Sequence, residues 1–433
     1  MREAASVLEQ GGVTPGAGQR SDIWAAPQRN SGPLMAHVLV VGAAFFNAVL
    51  CLIATRGAHI GLPIIAGTEL GLVAGALLMA LPLAINQLAM PAILAGSCVA
   101  ALYLFAPGLD VKMAVDLAII AGFVACGRRY GDRASARRML LWLAVITLVM
   151  GLYEMFALDS FEHWFHVYDY YVGKGDLDAA HASDTGTLLA ENGVRPGDQG
   201  RQLMGGLLGL HRAGSIFLEP ISAGNFGVIC ALFAVAVRGT ASLRAALALI
   251  GLAIGVLADA RFAILSATAI WIFLGTPLWR NRLAVAMLPV AALALLMVLG
   301  GLSHHEVDNS VIGRLTGSGQ LLDDWSIWQW LGLSADRAVS MDTGYSYVIG
   351  NLGLPIAAAL WAVGCMVVPR TGDTGRYFAG ATVYVALSLC ISASCLSIKT
   401  GAALWFILGA LWQQDFRESL AFAVAPKLRG TRG

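Results

Sequence analysis

The chain has 433 residues, of which 58% are hydrophobic and only 13% charged, with a mean hydropathy of +0.71. Such a composition argues against a string of soluble domains and for a membrane protein, in which apolar runs of about 20 residues are spanning helices. The formal net charge of +1 decides nothing, because in this class it is the distribution of Lys and Arg along the chain that carries information.

Residues 1–34, rich in Gly, Pro, Ala and Gln, lack the basic, apolar and small-residue order of a cleavable signal and are expected to be a disordered cytoplasmic tail. Apolar runs then fall at roughly 35–55, 62–83, 88–106, 111–126, 139–158, 215–237, 245–258, 262–278, 283–302, 343–368, 377–395 and 399–412. The fold expected is all-α, a polytopic membrane domain over 35–412 with about twelve transmembrane helices, followed by a cytoplasmic tail over 413–433. With the N-terminus inside, eighteen of the 28 Lys and Arg remain in the cytoplasm, including the run RRYGDRASARR, so the positive-inside rule puts both termini there. The long polar connections, 159–214 and 303–342, then both lie outside as periplasmic loops. Seven cysteines (Cys51, Cys98, Cys126, Cys230, Cys365, Cys390, Cys395) lie in or beside apolar runs without a CxxC pair and are expected to be buried small hydrophobes, not a disulfide or metal framework.

Each long loop holds an amphipathic piece. In FEHWFHVYDYY the residues Phe161, Trp164, Phe165 and Tyr168 follow helical spacing, and in LLDDWSIWQWLGL Leu321, Trp325 and Trp328 nearly do. Both are expected to lie in the interface with aromatic faces in lipid, as belts or as platforms for sugar rings. No internal repeat is visible, and the connection between the sixth and seventh runs is only RGTASLR, unlike a transporter made of two parallel halves.

Charge in unexpected places marks the candidate site. In HRAGSIFLEP, Arg212 and Glu219 stand seven residues apart, which on a helix would put them on one face with Ser215 and Ser222, on a helix interrupted by Pro220. Gly224 and Gly227 suit close helix contact. In LADARFAIL, Asp259 and Arg261 occupy a tight turn between short runs. Arg314 opens a Gly-rich stretch expected to be a loop, and Asp342 with Thr343 opens a span, as a helix cap or a reactive carboxylate. Glu69, Lys112, Asp116 and Glu154 also lie in or near runs. A cluster of guanidinium groups at a membrane surface suits a lipid-linked phosphate or diphosphate, and a carboxylate nearby could take a proton from a hydroxyl nucleophile. Together they suggest glycosyl transfer from a diphosphate-linked lipid carrier without a metal or other cofactor.

The segments HRAGSIFLEPISAGNFG, LADARFAI, NSVIGRLTGSGQ and MDTGYSYVIGNLGLP, in that order, resemble the Wzy-type family of O-antigen polymerases and ligases. More narrowly, FFNAVLC, RRYGD, YYVGKG, LADARF, GRLTGSGQ and SIKTGAALWF resemble the xanthan-type exopolysaccharide polymerases, across nearly the whole chain beyond the tail. The resemblance implies a GT-C-like inner-membrane polymerase that moves a growing glycan from undecaprenyl diphosphate onto the next lipid-linked repeat unit at the periplasmic face. The family's functional arginines map onto Arg212 and Arg261, with Arg314 a weaker match. Where the family usually has His-Asn, this chain has Asp342 and Thr343, so the acceptor-activating base stays open between Asp342 and Glu219, with His211 a further candidate. Expected substrate contacts come from His211, Asn225, Asp259, Arg314, Tyr345 and Lys399. The partners implied are the lipid-linked donor and acceptor, membrane lipid, and by analogy a chain-length regulator or export complex, with no nucleic acid. A ligase acting on the same donor and a transporter of lipid-linked sugars are the alternatives.

Overall fold

Long apolar runs leave the backbone one economical way to satisfy its own polar groups, the α-helix, and the computed structural model is all-helical across the residues it describes, which are 32–83, 111–175, 203–302, 311–334 and 343–429. The helices are α1 (Gly32–Thr55), α2 (Leu62–Leu83), α3 (Val111–Tyr130), α4 (Arg133–Phe156), the short α5 (Leu158–Trp164) and α6 (Val167–Lys174), then α7 (Pro220–Ala236), α8 (Ala241–Leu257), α9 (Arg261–Gly275), α10 (Arg282–Leu302), α11 (Val311–Asp323), α12 (Gly344–Leu352), α13 (Leu354–Val367), α14 (Gly372–Ser388) and α15 (Ile398–Arg429). Every predicted run carries a helix except 88–106, which lies outside the described residues. Among the described residues four helices, α1, α2, α4 and α10, are long and apolar enough to cross a membrane, or five spans if α12 and α13 count as one. That pair is bent by 103° at Gly353, whose φ of 74° suits glycine. Almost all of α12 is buried, whereas α13 buries only Cys365.

The bundle is built inside out relative to a soluble protein. The helices α7 and α14 and the first half of α15 are buried along nearly their whole length, enclosed by the others. Outward faces of α1, α2, α4 and α10 expose large apolar side chains, among them Leu78, Trp142, Leu283 and Leu295, a surface suited to lipid. Polar groups turn inward instead: Asn47, Asp116, Glu154, Asp259 and Asp373 are all buried. The six described cysteines are buried free thiols, in agreement with their apolar context.

Small residues set the closest crossings. A Cβ on Gly227 would come within 2.6 Å of the Gly251 carbonyl oxygen, so α7 and α8 touch backbone to backbone. The same device corrects the expected Gly-rich loop at 313–320: this stretch is α11, and Gly319 seats it directly on Gly300 of α10, using glycine for proximity and not for flexibility. Two further expectations are corrected. The aromatic piece after α4 is two short helices with Phe161 and Tyr168 buried in the protein, while Trp164 is exposed. In the second piece α11 ends at Asp323, with Trp325 buried and Trp328 exposed, so the two do not form one lipid-facing stripe. The chain after 412 is also no separate tail at its start, because α15 runs on to Arg429.

One end of the bundle is tied by charge. Arg133 of α4 ion-pairs Asp373 at 2.9 Å and Glu418 at 3.2 Å, and Asp415 accepts from the Thr374 amide at 2.9 Å and its hydroxyl at 2.7 Å. This clasp joins α4, α14 and α15.

Candidate functional site

Residues 211–219 do not continue the helix expected there. Gly214 has no room for a side chain, since a Cβ would meet the Glu219 amide nitrogen at 2.5 Å, and the chain adopts left-handed backbone at Ser215 (φ 54°) and Leu218 (φ 57°). Such conformations are sparsely populated for residues with a Cβ and need support from their surroundings. Proline then fixes the start of α7: Pro220 is its first residue, so no helix is interrupted, and Glu219 before it is extended. Arg212, Ser215, Glu219 and Ser222 therefore do not form one helical stripe.

The support is Glu154 on α4, 3% exposed. One carboxylate oxygen meets His211 Nε2 at 2.9 Å and accepts from the Gly214 amide at 3.0 Å, while the other accepts from the Ser215 amide at 2.6 Å. The Ser215 hydroxyl donates to the Thr147 carbonyl at 2.6 Å, a second tie to α4.

From this platform Arg212 reaches the turn between α8 and α9. Its Nε donates to the Ala258 carbonyl at 3.2 Å, and the Ala213 amide donates to the Leu257 carbonyl at 3.0 Å. Asp259, buried and left-handed at φ 48°, forms that turn and accepts from the Leu203 amide at 2.9 Å; Arg261 is the first residue of α9. The arginine loop and the LADARF turn are thus one unit. On its other side Glu219 ion-pairs Lys399 at 2.9 Å and accepts from the Ser222 hydroxyl at 2.7 Å; its side chain keeps 27% exposure and Lys399 10%. Lys174, at the end of α6, acts on Glu219 through space. A second tie between motifs lies nearby in sequence, where Tyr170 donates to Asn47 at 2.7 Å.

Below the turn runs an apolar groove of about 240 Å³, floored by Gly224 and Gly227 of α7 and walled by α8 and α9. Ala263 and Ile264 line it within one turn of Arg261, and Trp271 lines it farther along α9.

No family model, curated protein or solved structure matches this chain. The chemistry of the site therefore has to be read from its own groups.

His211 and Arg212 share the loop held by Glu154, Asp259 and Arg261 stand on the turn that Arg212 reaches, and Glu219 pairs Lys399 at the other end of the loop; the other described candidates have different surroundings. Asn225 is buried in α7 and donates to Ser394 at 2.8 Å. Tyr345 is buried with its hydroxyl donating to the carbonyls of Pro289 at 3.0 Å and Ala386 at 3.2 Å, a tie between helices and not an open contact surface. Arg314 stands half-buried on α11, which packs chiefly on α10 and α12. Asp342 lies outside the described residues, and Thr343, not Asp342, occupies the cap position of α12, without a side-chain cap bond.

Three residues outside the expected set belong to the site: Glu154, Lys174 and Glu162. The signal for Glu154 was its charge inside an apolar run. Glu162 on α5 is half-buried; that burial, with a smaller push from Asp159, raises its carboxyl above the ordinary value, against the opposing pull of His211 and His166. A separate buried centre accounts for the other charges in runs: Asp116 accepts from the Tyr347 hydroxyl at 2.9 Å and pairs Lys112 at 3.4 Å, with Glu69 acting on it electrostatically. Among the described residues no group of three His, Cys, Asp or Glu could hold a metal ion.

Proposed function

We propose that the chain is a membrane-embedded polysaccharide polymerase that transfers a growing glycan from a polyprenyl diphosphate carrier onto a lipid-linked repeat unit. One observation carries the reading: Arg212 and Arg261 are brought to the same turn, at the mouth of an apolar groove that suits the carrier's polyprenyl tail. A site built for a soluble sugar phosphate has no need of the groove, and a simple lipid anchor has no need of an arginine held by a backbone carbonyl beside a second arginine on the same turn.

In the mechanism, Arg212 and Arg261 take the donor diphosphate, guanidinium against phosphate oxygens. The acceptor hydroxyl attacks the anomeric carbon in line, forming the new glycosidic bond as the bond to diphosphate breaks. The hydroxyl proton passes to a carboxylate, Glu219 or Asp342, and the diphosphate leaves as an anion neutralised by the arginines. In-line displacement inverts the anomeric configuration. Lys399 beside Glu219 favours its ionised, proton-accepting form. His211, and Glu162, a raised carboxyl that His211 acts on through space, are further candidates for that proton.

The topology that goes with this reading has about twelve spans, both termini in the cytoplasm of a bacterial cell, and the site facing the periplasm. A chain-length regulator or export complex is the protein partner it calls for.

The test is elongation of a purified lipid-linked repeat unit in the presence of a chelator, by wild type, Arg212→Lys and Arg261→Lys. The expected result is longer glycans from wild type and a loss of at least 100-fold in the Lys variants, about 2.7 kcal/mol of transition-state stabilisation, since they keep charge but lose the planar fork. Equal products from all three would refute the arginine clamp. Transfer to a lipid A core would favour the ligase, and movement of the intact lipid-linked sugar across a vesicle bilayer the transporter.

A further inference from the structure

At the end of the bundle that carries the Arg133 clasp, α1 starts against Tyr130, three residues before α4 begins. Both pack on α15, and between them stays an open groove of about 380 Å³. Its two ends differ in chemistry. His37, Ser135 and Arg138 line the start, while Val41, Trp142 and Ile146 line the part farther along the helices. From Arg138 to Ile146 the groove descends eight residues of α4, or about 12 Å at 1.5 Å per residue.

Arg138 is exposed and engages no acceptor among the described residues, in contrast to Arg133 five residues earlier, which is held by three carboxylates, Asp373, Asp415 and Glu418. Trp142, one turn on, is 68% exposed beside it. His37 is held edge-on against Phe406 of α15, with ring centroids 5.4 Å apart, so the floor of the groove is fixed. A cation at the polar end, a tryptophan at the level where headgroups meet acyl chains, and an apolar channel beyond them match one amphiphile.

We propose that this groove binds an anionic phospholipid of the leaflet facing the basic helix ends, its phosphate on Arg138 and one acyl chain along Trp142 and Ile146. Charge complementarity selects the headgroup: Arg137 and Arg129 belong to the same basic run, and both lining groups that can carry charge, Arg138 and His37, are basic. A phosphate sits against guanidinium bidentately, whereas a zwitterionic headgroup brings its own cation to the same place. The site lies at the clasp end, apart from the arginine loop, and does not depend on the polymerase reading.

The test uses the full chain in nanodiscs of phosphatidylcholine with 20% phosphatidylglycerol (about one anionic lipid in five), released into detergent and weighed by native mass spectrometry. Wild type is expected to retain one phosphatidylglycerol in preference to phosphatidylcholine. Arg138→Gln is expected to bind it about fivefold more weakly, the change for loss of one interfacial cation, while Arg137→Gln, adjacent in sequence but outside the groove, retains it. Trp142→Ala, which leaves the charge in place, is expected to weaken retention of either lipid. Equal retention of both lipids by wild type, unchanged binding in Arg138→Gln, or preference for an added polyprenyl phosphate over phosphatidylglycerol would each overturn the proposal. Polymerase activity in all these variants bears only on the separate reading.

Discussion

Replacing Glu154 with Ala should collapse the arginine loop from a distance of 60 residues in the chain. The carboxylate is buried, accepts from two amides of the loop and meets His211, and those two amides lie in backbone that strays into the left-handed region at Ser215. Ala removes all three partners and leaves two buried N–H groups without acceptors, at about 1–3 kcal/mol each, so the expected loss of stability is about 4 kcal/mol. Gln should cost about half as much. Its amide oxygen keeps the bonds of one carboxylate oxygen, while its NH2 is turned against a donor. Because Glu154 is shielded from solvent, no discount for screening applies. Unfolding in mixed SDS micelles, followed by tryptophan fluorescence, measures both variants, and a cycle with His211→Ala should return a coupling energy of about 0.5–3 kcal/mol. The reasoning fails if Glu154→Ala unfolds within about 0.5 kcal/mol of wild type, the range of a neutral surface change.

Lys399→Met should destabilise by about 2 kcal/mol, less than the 3–5 kcal/mol of a fully buried pair because Glu219 keeps partial exposure, and adding Glu219→Gln should recover part of the loss; the same unfolding assay reads both. Gly227→Ala inserts a methyl against the Gly251 carbonyl and should cost about 1–3 kcal/mol, seen as a lowered melting temperature, with Gly239→Ala, which meets no close neighbour, as the unaffected control. The Glu162 carboxyl is raised in the folded chain above its unfolded value, so its contribution to stability is present at low pH and is lost as pH rises through the raised value. Glu162→Gln should therefore flatten the pH dependence of the melting temperature in the mildly acidic range and raise stability at neutral pH; an unchanged pH profile would remove Glu162 from the set of perturbed groups.

What could be read from the sequence follows from which interactions are local. Apolar runs are local, and the described ones all appear as helices, although 343–368 breaks into two, 377–395 ends early at Ser388 and 399–412 runs on to Arg429. A link between HRAG and LADARF was suggested by their polarity in apolar surroundings, and Lys399 of SIKTG came in with the family resemblance, but the geometry was not legible, because helical periodicity was carried through 211–219. What breaks the helix there is Glu154, a partner that no local pattern names, together with the absence of space at Gly214. The stretch 313–320 failed for a related reason. A run of glycines signals a loop when read alone and a close crossing when a second glycine, Gly300, waits on another helix. Tyr345 looked like a contact for a sugar because aromatic hydroxyls near a span end often are; two carbonyls from distant helices claim it instead.

The bend at Gly353 changes what bilayer thickness can do to this protein. Two helices whose directions differ by 103° cannot both stand along a membrane normal. Thickness acts on upright helices through their length, so a thicker or thinner bilayer presses on α1, α2, α4 and α10. With α12 enclosed by protein and α13 half-buried, tied to α10 by the Trp361 indole donating to the Ala286 carbonyl at 3.0 Å, α13 would meet the lipid at a different angle and respond to sideways crowding of the acyl chains. Any movement of α13 is transmitted through Gly353 straight into α12, whose Tyr345 and Tyr347 hold α10, α14 and α3.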